Sequence, residues 1–410
     1  MLRKIDTKQL APGMFLHELC GTWLNHPFWR TSFLLKDDIQ IAKIRDSGIA
    51  EAVIDTEKGL DISAPTAPTA PTAPAPVVLE VPAPPPKPAA PKYTPMDAEM
   101  AQASNIVAES KKAVVSMFNE ARMGKAIEAD SVMPLVEEIS SSVARNPGAL
   151  ISIARLKTAD DYTYMHSVAV CGLMIALARQ LDLDEAQIRE AGMAGLLHDV
   201  GKMAIPLEVL NKPGKLTDEE FTLIKGHPAA GHEMLVGGRG VSEISLDVCL
   251  HHHEKIDGTG YPHKLAGDQI SLFARMGAIC DIYDAVTSER PYKKGWDPAE
   301  AVHKMATWSK GHFDERIFQA FVKSVGIYPV GSLIRLQSGR LGVVIEQTPS
   351  SLLAPRIKVF FSIKSQTRMP PEVVDLSRPS NSDRIVAQED PAKWGFTDLN
   401  ALWGGDKAAV

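Results

Sequence analysis

The sequence predicts a multidomain, mainly α-helical chain, and three features carry the prediction. A Pro/Ala-rich break begins near residue 63, a long region of helical periodicity follows it, and the C-terminal end is β-branched and alternating. The expected architecture is a small α+β domain at the N-terminus, an all-α domain in the middle and a short β extension at the C-terminus. Hydrophobic residues make up 45% of the 410 and charged residues 23%, a globular composition with at least one sizeable core.

Residues 1–62 hold short apolar runs, GMFLHEL and TSFLLK, then a helical pattern in KDDIQIAKIRDSG that should stop at Gly48, then EAVIDT. Strands around one helix are expected. Residues 63–96 alternate Pro and Ala with almost nothing that can be buried, so they read as a semi-rigid polyproline II spacer. Residues 97–130 read as a connecting helix. From 131 to 327, apolar residues recur at three- and four-residue spacing through VMPLVEEISSSVAR and HSVAVCGLMIALARQLDL, with breaks at Asn146-Pro147-Gly148 and Leu181-Asp182. In residues 328–410, GSLIRLQSGRLGVVIEQ and PRIKVFFSIKS alternate as strands do, with a turn at Ser338-Gly339.

The formal net charge of −6 argues against a general polyanion binder, so no nucleic-acid partner is expected and any anionic ligand must meet a local cluster. No apolar run is long enough to span a membrane, and MLRKIDTKQLAPGMFLHEL lacks the apolar core of a signal peptide. A cytoplasmic location is the default. Cys20, Cys171, Cys249 and Cys280 form no CxxC pair and read as reduced thiols in apolar surroundings.

Chemistry concentrates in the helical region. His166 follows DDYTYM, His198 and Asp199 form an adjacent pair in GLLHDVGK, and His227 lies in IKGHPAAGHEM. His251, His252 and His253 run together before EKIDGTGYP, and Asp281 and Asp284 sit in ICDIYDAV. Several of these lie on or beside apolar helix faces, where an uncompensated imidazole or carboxylate is costly. A pair of divalent cations satisfies such a set, because neutral imidazoles and carboxylates are suitable donors and the metal charge offsets the acids. An aspartate beside a histidine can bridge two ions, and two bridged cations bind phosphate oxygens while lowering the pKa of a shared water. Lys202, within one turn of Asp199, is placed to touch a phosphate or assist a leaving oxygen; Arg290 and Lys293 in SERPYKK offer a forked and a point-charge phosphate contact. Tyr261 in the Gly-rich DGTGYP loop is positioned to line a base pocket or a protein contact.

The array YTYMHS, HDVGK, KPGKLTDEEF, KGHPAAGHEML, HHEKIDGTGYP and DIYDAVTSERPYKK resembles the HD-GYP domain, a branch of the HD superfamily of metal-dependent phosphohydrolases, over residues 131–327. The "HD" is His198-Asp199 and the "GYP" is Gly260-Tyr261-Pro262. Residues 1–62, with KIDTKQLAPGMFL and VIDTEKG, look like the small domain of unassigned role that often precedes HD-GYP domains in bacteria. The resemblance implies a cyclic-di-GMP phosphodiesterase producing pGpG and, in some members, GMP. It implies one metal on His166, His198, Asp199 and Asp281, and a second on Asp199, His227, His252 and His253. The glutamate that holds a third metal in some members is Tyr162 here, so two divalent ions are expected: iron first, with manganese, nickel and zinc also suited to the donors. It places Asp284 with Arg290 and Lys293 on the non-scissile side of the ligand, and leaves His232 and His251 outside the ligand set. The GYP loop and the N-terminal domain are candidate surfaces for protein partners. The alternatives are an idle cyclic-di-GMP receptor and a phosphodiesterase for the hybrid dinucleotide cyclic GMP-AMP.

Overall fold

The computed structural model describes residues 2–20, 32–46, 49–61, 93–156, 162–288, 295–348 and 351–405. The chain divides into two compact units, residues 1–90 and 91–410.

The first unit is an antiparallel sheet with one helix. Strands β1 (Leu2–Asp6), β2 (Phe15–Cys20), β3 (Phe33–Leu34) and β4 (Glu51–Asp55) pair in the order β1-β4-β2-β3, and α1 (Asp38–Asp46) precedes β4. Alternation places Ala52 and Ile54 of β4 on one face, and a register shift between Leu16 and Glu18 brings Leu16 and Leu19 of β2 to that same face, where they join Ile41 and Ile44 of α1 in the core. The expected stop at Gly48 falls outside the described residues.

The second unit opens with α2 (Met96–Arg122), α3 (Met133–Arg145) and α4 (Pro147–Arg155). Asn146 ends α3 in an extended conformation and caps α4 by accepting from the Gly148 amide at 3.0 Å, with Pro147 at the first helical position, so the NPG break is a joint between two helices. The centre is α5 (Tyr162–Gln180), whose residues 165–178 are all buried. Such a helix is apolar on every side because it has neighbours on every side; α2, α3, α4, α6 (Glu185–Leu197), α11 (Leu272–Thr287) and α13 (Glu315–Val325) all pack on it. Around these run α7 (Leu207–Leu210), α8 (Asp218–Ile224), α9 (His227–Val236), α10 (Glu243–His251) and α12 (Pro298–His312). The starts are written locally: Asp184 with Gln187 and Thr217 with Glu220 form capping boxes on α6 and α8, and Ser271 caps α11.

An antiparallel sheet follows, of β5 (Leu333–Leu336), β6 (Arg340–Thr348), β7 (Ser351–Ser362), β8 (Thr367–Asp375) and β9 (Ile385–Gln388), ordered β8-β7-β6-β5-β9. Its core is Ile334, Leu336, Val344, Ile357, Val359 and Leu376. Two short helices, α14 (Pro391–Trp394) and α15 (Leu399–Gly404), close the described chain. Glu346 of β6, 3% exposed, joins the sheet to the helices: it accepts from the Met96 amide at 2.8 Å and Asn146 Nδ2 at 3.3 Å, and also binds Tyr93 and Arg356. Cys171, Cys249 and Cys280 are buried thiols, and Cys20 is half-buried.

Candidate metal centre

Five helical segments deliver the sequence-predicted ligands to one buried place. His166 lies in α5, His198 and Asp199 follow α6, His227 opens α9, His252 and His253 follow α10, and Asp281 lies in α11. All but His253 are 6% exposed or less.

Two groups form. His166, His198 and Asp199 present donor atoms within 4.8 Å of one another, and so do His227, His252 and His253. Asp199 serves both: Oδ2 lies 3.3 Å from His166 Nε2 and 3.4 Å from His198 Nε2, while Oδ1 lies 3.1 Å from His227 Nε2 and 3.8 Å from His252 Nε2. Asp281 spans the same gap, with Oδ1 2.9 Å from His166 Nε2 and Oδ2 3.8 Å from His253 Nδ1.

Backbone carbonyls fix the tautomers. The Nδ1–H of His198 donates to the Gly195 carbonyl at 2.8 Å, that of His227 to Ile224 at 2.8 Å, and that of His252 to Val248 and Cys249 at 3.0 Å. Each partner lies three or four residues back, a spacing that a helix supplies automatically, so each Nε2 lone pair is turned into the cluster. Asp284 does the same for His166, its Oδ2 2.6 Å from Nδ1. The expectation that Asp284 contacts substrate meets a different geometry: at 2% exposure the carboxylate stands behind a ligand, and i+3 spacing from Asp281 could not reveal what lay opposite.

The electrostatics favour a cation. Burial pushes His198 down, His252 well below the ordinary imidazole value and His253 to about 3, so these rings are neutral donors. Burial works against the charges of Asp199 and Asp281, but Lys202 and the imidazoles around Asp199, and the imidazoles led by His166 around Asp281, hold both carboxyls well below their usual range. Burial also opposes a charge on His166, yet Asp199, Asp281 and Asp284 outweigh it and lift that ring to about 10: the site draws positive charge. Two buried atoms decide whether a metal fits. Among the described residues His198 Nε2 and Asp199 Oδ1 have no hydrogen bond: His227 Nε2 approaches Oδ1 at 3.1 Å, but the ring proton is on Nδ1, given to the Ile224 carbonyl. Each orphan of this kind costs about 1–3 kcal/mol, and a cation satisfies both. The donor set therefore fits metal.

Lys202 stands in the 3₁₀ turn Val200–Ala204, its ammonium bonded to Asp199 Oδ2. The turn lies so close to α9 that a Cβ on Gly201 would sit 1.9 Å from the His227 carbonyl oxygen, which accounts for the glycine of HDVGK. Tyr261 stacks on the His253 ring at 4.7 Å and 25°, and burial pushes its phenol up. Buried Glu254 holds the GYP loop by accepting from the His263 and Leu265 amides at 2.7 and 3.1 Å, a role with no sequence signal beyond its place after His253. His251 binds Asp247 at 2.7 Å and His263 at 3.0 Å, away from both groups; His232 belongs to neither. Arg290 and Lys293 lie outside the described residues.

Fold and centre together define a mainly α-helical protein built around a buried histidine–aspartate cluster able to bind metal. Comparison with known proteins gives it a family. An HD domain matches residues 140–317, and a domain of unknown function, DUF3391, matches residues 2–132, running past the Pro-rich segment and through α2. The cyclic di-GMP phosphodiesterase PA4108 of Pseudomonas aeruginosa is 56% identical over 406 residues, covering 99% of this chain and 96% of that protein. The cyclic di-GMP phosphodiesterase response regulator RpfG of Xanthomonas campestris is 42% identical over 155 residues, covering 38% of this chain and 40% of its own length. The 3′3′-cGAMP-specific phosphodiesterase 1 of Vibrio cholerae is 33% identical over 190 residues, covering 46% and 42%. The chain belongs to the HD-GYP family, with a DUF3391 domain ahead of its HD domain. Among the described residues no helix is long and apolar enough to cross a membrane.

Proposed function

We propose that this chain is a metal-dependent phosphodiesterase that hydrolyses cyclic di-GMP to pGpG using two divalent ions. The observation that carries the reading is the division of Asp199, whose two oxygens face different histidine groups. His166, His198, Asp199 and Asp281 would hold one ion; Asp199, His227, His252 and His253 would hold the other, with iron first among the candidates. Bound there, the ions supply positive charge for phosphodiester oxygens and acidify a water. Lys202 stands beside Asp199, where its side chain can turn to a phosphate oxygen or to the departing 3′-oxygen. Tyr261 restrains the His253 ring, and Arg290 with Lys293 would take the second phosphate. Asp284 acts from behind, by holding His166.

The dinucleotide assignment is supported by the 56% identity to a cyclic di-GMP phosphodiesterase across almost the full length of both chains, against 33% over less than half for a cGAMP-specific one. The test is turnover. Anaerobically purified, metal-loaded protein should release pGpG or GMP from cyclic di-GMP within minutes to hours, and should process cyclic GMP-AMP with a lower kcat/KM. Saturable binding without product over hours would identify a receptor instead, and a reversed kcat/KM ratio would reassign the substrate.

A further inference from the structure

Helix α2 ends against the segments that carry the centre. In its last turn Arg122 Nη1 donates to the Ile205 carbonyl at 3.3 Å, and its other terminal nitrogen lies 3.6 Å from Met203 Sδ. These two residues close the 3₁₀ turn that presents Lys202 to Asp199. One turn back, Asn119 Oδ1 accepts from the Tyr164 hydroxyl at 3.4 Å, and Phe118 packs on the Tyr164 ring, two residues ahead of His166.

The far end of α2 is equally fixed. The Met96 amide is bonded to Glu346, and buried Glu99 accepts from Arg145 Nη2 at 2.7 Å, Arg145 Nε at 2.8 Å and the Ser142 hydroxyl at 2.8 Å. A helix of 27 residues, ~40 Å long at 1.5 Å per residue, is thus pinned at one end and delivers Arg122 at the other. Among the described residues Arg122 has no carboxylate partner, so its charge is directed at a carbonyl and a sulfur of the residues that follow HDVGK. At the two edges of the turn, Lys202 N donates to the Asp199 carbonyl at 3.0 Å and Ile205 N to the Lys202 carbonyl at 3.1 Å.

We propose that Arg122 is a positioning residue for the reaction: by holding the Met203–Ile205 stretch it sets where Lys202 stands beside the bridging carboxylate. The inference rests on the reading of Lys202 given above. Small displacements of a group at the reacting centre are enough to lower turnover by orders of magnitude.

The test is a double-mutant cycle of Arg122→Met with Lys202→Met in the full, metal-loaded chain. Arg122→Met should lower kcat roughly 10-fold or more with KM and metal per chain close to the parent. In the Lys202→Met background it should change kcat no further. Arg122→Lys, which keeps one donor for the Ile205 carbonyl, should recover part of the loss and also serves if the methionine variant folds poorly. In metal-free protein, Arg122→Met should speed hydrogen exchange at the Lys202 and Ile205 amides, a readout independent of turnover. Unchanged kcat, losses that multiply across the cycle, or unchanged exchange would each overturn the inference. If Lys202→Met alone leaves turnover intact, the role of Lys202 and this inference fall together; if it impairs turnover while Arg122→Met is silent, only this inference falls.

Discussion

His166 is gripped at both ring nitrogens, by Asp281 and Asp199 at Nε2 and by Asp284 at Nδ1. Removing the charge behind a ligating imidazole weakens it as a donor and loosens its orientation, commonly at 10- to 100-fold in metal affinity. Asp284→Asn keeps an acceptor for Nδ1 but removes that charge, so titration of the apo protein with manganese should show affinity lowered by roughly 10- to 100-fold, with the same number of ions bound at saturation. An unchanged isotherm would mean that His166 is oriented by packing alone. The adjacent His198-Asp199 pair was legible in the sequence because two costly groups sat side by side after an apolar run. The task of Asp284 was not, because spacing along α11 places it on the face of Asp281 but does not say that a histidine from α5 fills the space between.

At the scale of elements, the Asn146-Pro147-Gly148 break was legible in the sequence, and the structure makes it a capped joint between α3 and α4. Asp297 adds what the sequence could not show. It caps α12 through the Ala299 amide at 2.9 Å, and also accepts from the Leu333 amide at 3.3 Å and Gln388 Nε2 at 2.9 Å, so one carboxylate ties α12 to β5 and β9. Burial raises its pKa to about 6, against the opposing pull of the Ala299, Leu333 and Glu300 amides. For an acid shifted upward, the folded state binds more protons than the unfolded state between the two pKa values, so stability from this group is present below about pH 4 and is lost as pH rises through about 6. Asp297→Asn removes the titration. In urea unfolding followed from pH 4 to 7, the variant should gain on the parent by roughly 1–2 kcal/mol across that window, after allowance for partial exposure. A gap independent of pH would show that the amide donors keep Asp297 ionised throughout.

Across the whole molecule, the unsatisfied atoms of His198 and Asp199 mean that metal and folding are linked in the second unit. Free metal at about 1,000 times its dissociation constant would add roughly 4 kcal/mol, so stripping the protein with a chelator should lower the melting temperature by about 5–10 °C, and restoring the metal should reverse it. A change below about 1 °C in calorimetry would mean that the centre is satisfied without metal. The mainly helical architecture was readable from periodicity, since long helices and alternating strands write their period directly into the chain.

The sequence by itself determined the mainly helical class and the separate character of its two ends, because periodicity is a local property, and its likeness to HD-GYP motifs named the histidines and aspartates that the structure brings together. Only the tertiary structure decided how those residues divide the labour. That Asp199 faces two groups, that Asp281 spans them, that Asp284 stands behind His166, and that Arg122 reaches Ile205 from 83 residues away are long-range facts. They depend on how buried helices pack against α5, and no periodicity along one segment records which side chain of another will meet it.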